Sequence, residues 1–405
     1  YYEQGQYNAS MIEARSALQI DASNEAANLL MSDIYLSLGM ARQALKILQS
    51  IDSESYDYNL RLIDAMLAVG KYGTSLHLLR QSEGVFAGNE IESLLRVAEA
   101  RIGLRDIESA SLSYQKVLDL DALNIDATLG LIAIDAATGS LERADAGLLA
   151  LLENDPEHLD TLILLANVYL RQGRFEEAES RLTDAISVLP STDIFTQQRA
   201  GLLRVLIRLL AFQGNSAEAL IYQNQLAAAF PNAEALQDQM AKVAELVENA
   251  EFKSALTVLD EIELIAPGNE STGTLRGVIA FLQGDNQAAG ELFKENVDPE
   301  IASSKTMQLF AANQFYLDQP HQVVALLRDK VKDTRNPESL ALFGVAALAA
   351  DATQEGVAAL RKAIDLQPDN VRLSIILASH LRINDPTQAL KELEAAYARK
   401  SDDLY

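Results

Sequence analysis

One interval governs this chain. Ala110, Ala144 and Ala178 stand 34 residues apart, as do Gly139 and Gly173, and Pro156 and Pro190. Three residue types sharing one period identify a repeat protein built from a helix-turn-helix unit. Such a unit cannot bury its apolar face alone, so neighbouring units stack into one continuous core. Stacks of this kind serve as binding surfaces rather than reaction vessels.

The segment Leu159–Asp193 shows why each residue recurs. Leu162, Leu165, Ala166 and Tyr169 form an apolar stripe at helical spacing on a first helix. Gly173 follows in a position suited to a left-handed C-cap. Phe175, Ala178, Leu182 and Ala185 repeat the stripe on a second helix, and Pro190 stops it. Ala166 and Ala178 are expected to face each other at a close crossing, where a larger side chain would push the helices apart. At these places the unit resembles the tetratricopeptide repeat (TPR) family, with Leu162 in place of that family's usual Trp; the chain has no Trp.

The same frame extends along the chain. The capping Gly recurs as Gly39, Gly70, Gly139, Gly173, Gly214 and Gly284. The small residue of the second helix recurs as Ala44, Ala110, Ala144, Ala178, Ala219, Ala255, Ala289 and Ala389, with Ser75 and Gly356 in two further units. The terminating Pro recurs as Pro156, Pro190, Pro231, Pro267 and Pro368. The resemblance implies an all-α fold, a right-handed α-solenoid of about 11–12 TPR-like repeats.

The register breaks in two places. Gly173 and Gly214 are 41 residues apart, seven more than the period. The excess falls in Ser191–Arg199, which predicts a longer first helix or an extra turn before it. Around Gln319, Pro320 and His321 the turn has lost its Gly, and Pro337 opens the next helix. Stacking is expected to be most irregular between Asn296 and Asn336, with a kink or a subdomain boundary there. The array thus reads as a regular part (1–190), a part following the insertion (191–295) and a more degenerate part continuous with the rest (296–405). It begins inside a repeat, with Tyr1–Tyr7 as the end of a first helix. Neither that end nor Asp403-Leu404-Tyr405 carries a polar capping helix. A piece of a longer chain is therefore expected.

Lys and Arg number 33 against 58 Asp and Glu, a net charge of −25. That balance argues against nucleic acid and anionic lipid, which need a basic surface. It fits either a solvated surface or a basic partner. The TPR resemblance implies that particular positions of each first helix line an inner groove. In the N-terminal half these are Asp33, Asp57, Asp64, Glu92, Glu99, Asp126 and Asp160, interleaved with Leu29, Leu60, Leu95, Leu129 and Ile163. An acidic groove with an aliphatic floor suits an extended basic or amphipathic segment. Asp57, Glu92, Asp126 and Asp160 lie near helix starts, where the macrodipole alone accounts for a carboxylate. Asp33, Asp64 and Glu99 lie deeper and are the better groove candidates. The sign changes at Arg204 and Arg208, one turn apart, and farther on the positions become apolar: Met240, Val247, Val278, Phe281, Val345 and Leu348.

Catalytic constellations are missing from the sequence. His77, His158, His321 and His380 fall in different repeats, no Cys is present, and neither HExxH nor GxSxG occurs. Gly70-Lys71 is no P-loop, because Tyr72 follows where Ser or Thr is needed. Two glycosylation sequons, at Asn8 and Asn269, are of a kind that arises often by chance. No enzyme activity, metal or cofactor is expected. Some TPR proteins grip a terminal carboxylate with Lys, Arg and Asn on first helices. Asn167 with Arg204 and Arg208 is the partial match here, and it straddles the insertion, which argues against such a clamp.

A narrower resemblance rests on residues 5–21 (Gly5-Gln6-Tyr7-Asn8-Ala9-Ser10 onward), on Glu25–Leu48 and on Tyr58–Leu79. These look like the opening repeats of bacterial TPR lipoproteins associated with exopolysaccharide export and the PEP-CTERM sorting system. That resemblance implies a signal peptide and a lipidated Cys before Tyr1, and a periplasmic or outer-membrane-tethered protein; a cytoplasmic scaffold fits the absence of Cys equally well. Two functions follow: a protein or peptide-binding scaffold for an export or assembly system, or a structural protein that self-associates end to end into a filament.

Overall fold

The computed structural model describes residues 1–82, 84–266, 270–332 and 334–401. Pro267, Asn269 and Asp403-Leu404-Tyr405, singled out in the sequence, lie outside them. Among the described residues there are 23 α-helices, one short 3-10 turn at Tyr2–Gln4 and no strand. The protein is an all-α solenoid of helical repeats. No described helix is long and apolar enough to cross a membrane.

The helices form pairs, and one backbone conformation marks nearly every turn between the two members. Positive φ occurs at Gly5, Gly39, Gly70, Arg105, Gly139, Gly173, Gly214, Ala250, Gly284, Asp318 and Asp351. Successive members of this series are 31 to 36 residues apart, apart from 41 between Gly173 and Gly214. The left-handed residue turns the chain so that the last carbonyls of the first helix are satisfied. At Gly173 the amides of Gly173 and Arg174 donate to the Leu170 and Tyr169 carbonyls, at 3.2 and 2.9 Å. In four units a non-glycine residue holds this conformation, including Asp318 beside the Gly-less Gln319-Pro320-His321. A final pair, Val371–Asn384 and Pro386–Ser401, is joined differently: Asp385 has negative φ and leaves the helical region, at φ −145° and ψ 76°. Pro386 imposes this, because proline disfavours helical backbone in the residue before it.

Two compact units are present, Tyr1–Pro231 and Asn232–Tyr405. Residues 190/191 and 295/296, where the sequence places changes in the array, fall inside them. In the first unit Ala44, Ala110, Ala144, Ala166 and Ala178 are fully buried. Ala166 and Ala178 share one apolar cluster with Leu162, Leu165, Leu182 and Leu210. In the second unit the stretch from Asn296 to Asn336 is irregular in its elements, since the helix Pro320–Leu327 has only 8 residues and the next begins at Pro337. Its core is nonetheless continuous. Phe293, Met307, Phe310, Val323, Leu327, Leu340, Phe343 and Leu360 belong to one buried cluster that runs through the region.

The insertion at 191–199 does two things. The helix that follows, Gln197–Gln213, has 17 residues against 14 in Leu159–Gln172. The residues before it are drawn back to the start of the chain. The Asp193 amide donates to the Gly5 carbonyl at 3.1 Å, and the Gln197 amide to the Leu38 carbonyl at 3.4 Å. Asp193 Oδ1 and Oδ2 accept the Tyr7 and Asn8 amides at 2.8 and 3.0 Å. Those amides open the helix Tyr7–Ile20, whose own N-cap residue, Gln6, makes no side-chain cap bond. A carboxylate 186 residues away in the chain supplies the cap instead.

Candidate interaction face

Within the first unit, first helices of successive pairs approach one another: Glu25–Ser37 meets Tyr56–Val69, which meets Glu90–Gly103. The second helices make no comparable approach. Over these three repeats the first helices are thus the more tightly spaced layer, the one that the TPR resemblance implies as inner. Measured from the left-handed turn residue, Asp33, Asp64, Glu99, Ala133, Asn167 and Arg208 each stand six residues earlier. They occupy one position in six consecutive repeats, and that position runs from acid through neutral to base.

Two rungs of this series are ion pairs. Arg61 Nε and Nη2 donate to Asp33 Oδ1 and Oδ2 at 2.8 and 3.0 Å. Arg96 does the same to Asp64 at 2.7 and 3.0 Å. Both arginines stand nine residues before their own turn residue, so each repeat's guanidinium clasps the preceding repeat's carboxylate. The fork geometry matches a carboxylate with two parallel bonds. Arg61 also reaches Asp57 at 3.4 Å, and Arg96 Nη1 donates to the Glu92 carbonyl at 3.0 Å.

The third rung lacks its arginine. Nine residues before Gly139 stands Gly130, and the Tyr114 ring fills the space where a Cβ would be. Glu99 keeps more than a third of its surface open, yet enough protein stands near its carboxyl to desolvate it. That crowding decides its chemistry: desolvation raises its carboxyl above the ordinary value, Asp64 adds to the rise and Arg96 offsets part of it. Burial pushes the Tyr114 phenol up to about 12, with Glu99 and Asp126 contributing. Glu99 is therefore the carboxylate of the series held in the least favourable setting for its charge.

The remaining candidates take clear places. Leu29, Leu60, Leu95, Leu129 and Ile163 are half-buried and pack on the apolar clusters, so the aliphatic floor is shared with the core. Asp57, Glu92, Asp126 and Asp160 stand in first helical turns. Asn167, Arg204 and Arg208 are exposed. Arg208 Nε donates to the Arg204 carbonyl at 3.3 Å, and the Arg204 guanidinium lies 6.0 Å from the Phe230 ring centroid. Among the described residues no ion pair is seen at either arginine. His158 has a structural use: its Nδ1 accepts the Thr161 amide at 3.3 Å and caps the helix Leu159–Gln172. Reading the sequence missed Arg61 and Arg96, although their spacing of 35 residues matches that of Asp64 and Glu99.

Residues 148–194 match the tetratricopeptide repeat family model. The protein is thus a helical-repeat protein that carries a tetratricopeptide repeat in its first unit. No curated protein matches the chain. Among solved structures, a double mutant of MamA RS-1 is similar at 17% identity and a TM-score of 0.38, over 42% of this chain and 97% of that one. A crystal structure of MamA gives 16% and 0.36, over 40% and 96%. The APC/C hetero-tetramer Cut9–Hcn1 gives 14% and 0.35, over 98% and 83%. At such scores no function passes from these proteins to this chain.

Proposed function

We propose that the protein is a non-enzymatic interaction scaffold whose first unit takes an extended protein segment along the inner faces of its first helices. The observation that carries this reading is the single position occupied in turn by Asp33, Asp64, Glu99, Ala133, Asn167 and Arg208. Neighbouring repeats present that position in a row, which is what an extended chain with regularly spaced side chains can read. The row has a polarity. A basic residue is favoured at Glu99, and an acidic one toward Arg204 and Arg208. At Asp33 and Asp64 an incoming cation has to compete with Arg61 and Arg96, so those rungs contribute less than their charge implies.

The test is a library of extended peptides bound to the intact chain and read by fluorescence polarisation. Selected peptides should carry Lys or Arg at one end and Asp or Glu at the other. Glu99→Lys and Arg208→Glu should each weaken them, and affinity should fall as salt shortens the Debye length below ~10 Å. Selected peptides whose affinity ignores both substitutions and salt would remove the inner face from consideration.

The finer reading is a scaffold of a bacterial export or exopolysaccharide assembly system, periplasmic or tethered to the outer membrane. What supports it is the resemblance of residues 5–21, 25–48 and 58–79 to that lipoprotein type. Fractionation of the full-length gene product, together with mass spectrometry of its mature N-terminus, tests it. A cytosolic protein with no lipidated Cys discards it. The alternative is end-to-end self-association. Ile375, Ile376, Leu390, Leu393 and Tyr397, on the last helical pair, are exposed, and a heterologous contact that does not close generates a fibre. A chain that stays monomeric across concentration by light scattering removes that alternative.

A further inference from the structure

The contact between residues 191–197 and the start of the chain has the features of a fastening. It joins elements five repeats apart in sequence at two points. At the first, Gly5 and the opening amides of Tyr7–Ile20 meet Ser191 and Asp193. At the second, the Leu38-Gly39 turn meets Gln197. Neither point leaves room for adjustment: a Cβ on Gly5 would strike the Ser191 carbonyl, and one on Gly39 would strike the Gln197 side chain. Gly5 and Gly39 are also left-handed, so each is fixed twice over. The Asp193 hydrogen bonds across the seam are exposed, while Gly5 and Leu38 beside them are buried. None of the buried apolar clusters includes residues from both sides of it. A contact built from a few solvent-accessible hydrogen bonds opens at far lower cost than a packed core.

The seam is connected to the charged row. Between them lies the 3-10 turn Tyr2–Gln4. Its Tyr2 hydroxyl shares a hydrogen bond of 2.8 Å with Ser37 Oγ, and Tyr2 lies close enough to feel the charges of Asp33 and Arg61. Gly5 ends that turn and enters the seam directly. The first rung and the first fastening point are therefore a few residues apart along one short element.

We propose that residues 191–197 are a clasp that holds the first unit closed around its inner face, and that access to the row of Asp33, Asp64 and Glu99 depends on its release. The clasp rests on the structure of the seam alone. Its consequence for a partner rests on the scaffold reading above, so the test contains no partner.

The chain has no Cys, which allows a single thiol to be placed at will. Glu99→Cys puts one on the inner face, and Ser187→Cys puts a control on the exposed outer side of a second helix. Alkylation is followed with iodoacetamide and with a maleimide on a large polyethylene glycol, in the 405-residue chain with and without Asp193→Ala. Loss of a helix cap shifts a local opening equilibrium by roughly five- to thirty-fold. The large reagent should therefore react about that much faster with the inner-face thiol when Asp193 is removed. Iodoacetamide at the inner-face thiol, and both reagents at the outer control thiol, should stay unchanged. Asp193→Asn, which keeps an acceptor for the helix amides, should fall between. Amide exchange at Tyr7 and Asn8 should accelerate in Asp193→Ala, which separates an opened seam from an unfolded unit. Equal rates for the large reagent with and without Asp193, while Tyr7 and Asn8 exchange faster, would show that the seam opens without controlling access and would overturn the proposal. Unchanged exchange at Tyr7 and Asn8 would overturn the clasp itself.

Discussion

At the scale of single residues, the turn positions carry the most direct prediction. Ala250 holds φ 58°, a conformation that costs an L-residue with a Cβ roughly 1–2 kcal/mol. Glycine there removes that strain and gives back about half of it through the greater freedom of the unfolded chain. Ala250→Gly is expected to raise stability by about 0.5–1 kcal/mol, read as a higher urea midpoint at unchanged slope. Asp318→Gly should gain less, because aspartate tolerates the left-handed region better than alanine. Gly173→Ala should lose about 1 kcal/mol, and purely from backbone strain, because nothing lies within 4 Å of its added methyl group. A lower midpoint for Ala250→Gly would mean that the turn does not bear this strain. Glu99 gives a second prediction, with a sign fixed by its raised carboxyl. The folded state holds that proton more tightly than the unfolded chain, so Glu99 costs stability once pH rises above the ordinary glutamate value of ~4.3. Glu99→Gln should raise Tm at neutral pH, and the gain should vanish as pH falls below that value. A gain that persists at about pH 3, below the unfolded value, would place its origin in packing rather than in charge.

At the scale of helices, close crossing and charge pairing are worth different amounts. Ala144 and Ala178 are fully buried, and the helices they separate have no slack. Ala178→Leu or Ala144→Leu should cost roughly 1–3 kcal/mol by overpacking. The Asp33–Arg61 and Asp64–Arg96 pairs are partly exposed, with side-chain accessibilities between 18% and 36%. Solvent screening holds such pairs to about 0–1 kcal/mol each. A double-mutant cycle on Asp64 and Arg96 should return a coupling in that range, smaller than either alanine-to-leucine penalty. The reverse order would assign the stacking of first helices to the ion-pair ladder rather than to the apolar clusters. Gly130 belongs to the same scale. Gly130→Ala should displace the Tyr114 ring and disturb the acidic rung that has no arginine.

At the scale of the whole molecule, the repeat architecture predicts how damage spreads. Stability in such arrays is close to a sum of repeat terms and nearest-neighbour interfaces. Ala178→Leu should raise amide exchange most in the helices from Leu141 to Gln213, whose buried residues share its cluster. It should leave Phe310 and Phe343, in a separate cluster of the second unit, close to their native protection. A uniform rise in exchange across both units would show that the chain unfolds as one cooperative body.

Local periodicity made the helical pairs, the Ala crossings and most left-handed turns legible in the sequence, because each depends on residues within one unit. The same period, laid on Asp33, Asp64 and Glu99, placed three carboxylates at one position of three successive first helices. Arg61 and Arg96 were legible in principle, but nothing local says that a guanidinium will reach back to the preceding repeat. Arg105, Ala250, Asp318 and Asp351 were hidden for the opposite reason: the surrounding helices force the left-handed turn on residues that do not advertise it. The seven-residue excess before Gly214 announced a break in register and gave no sign of its target. That Asp193 caps a helix 186 residues away follows from the accumulated rotation of five stacked repeats, a sum of small interface angles. The repeat and its chemistry were set by sequence, and the closure of the first unit by tertiary structure, because curvature belongs to the interfaces between repeats and to no residue within them.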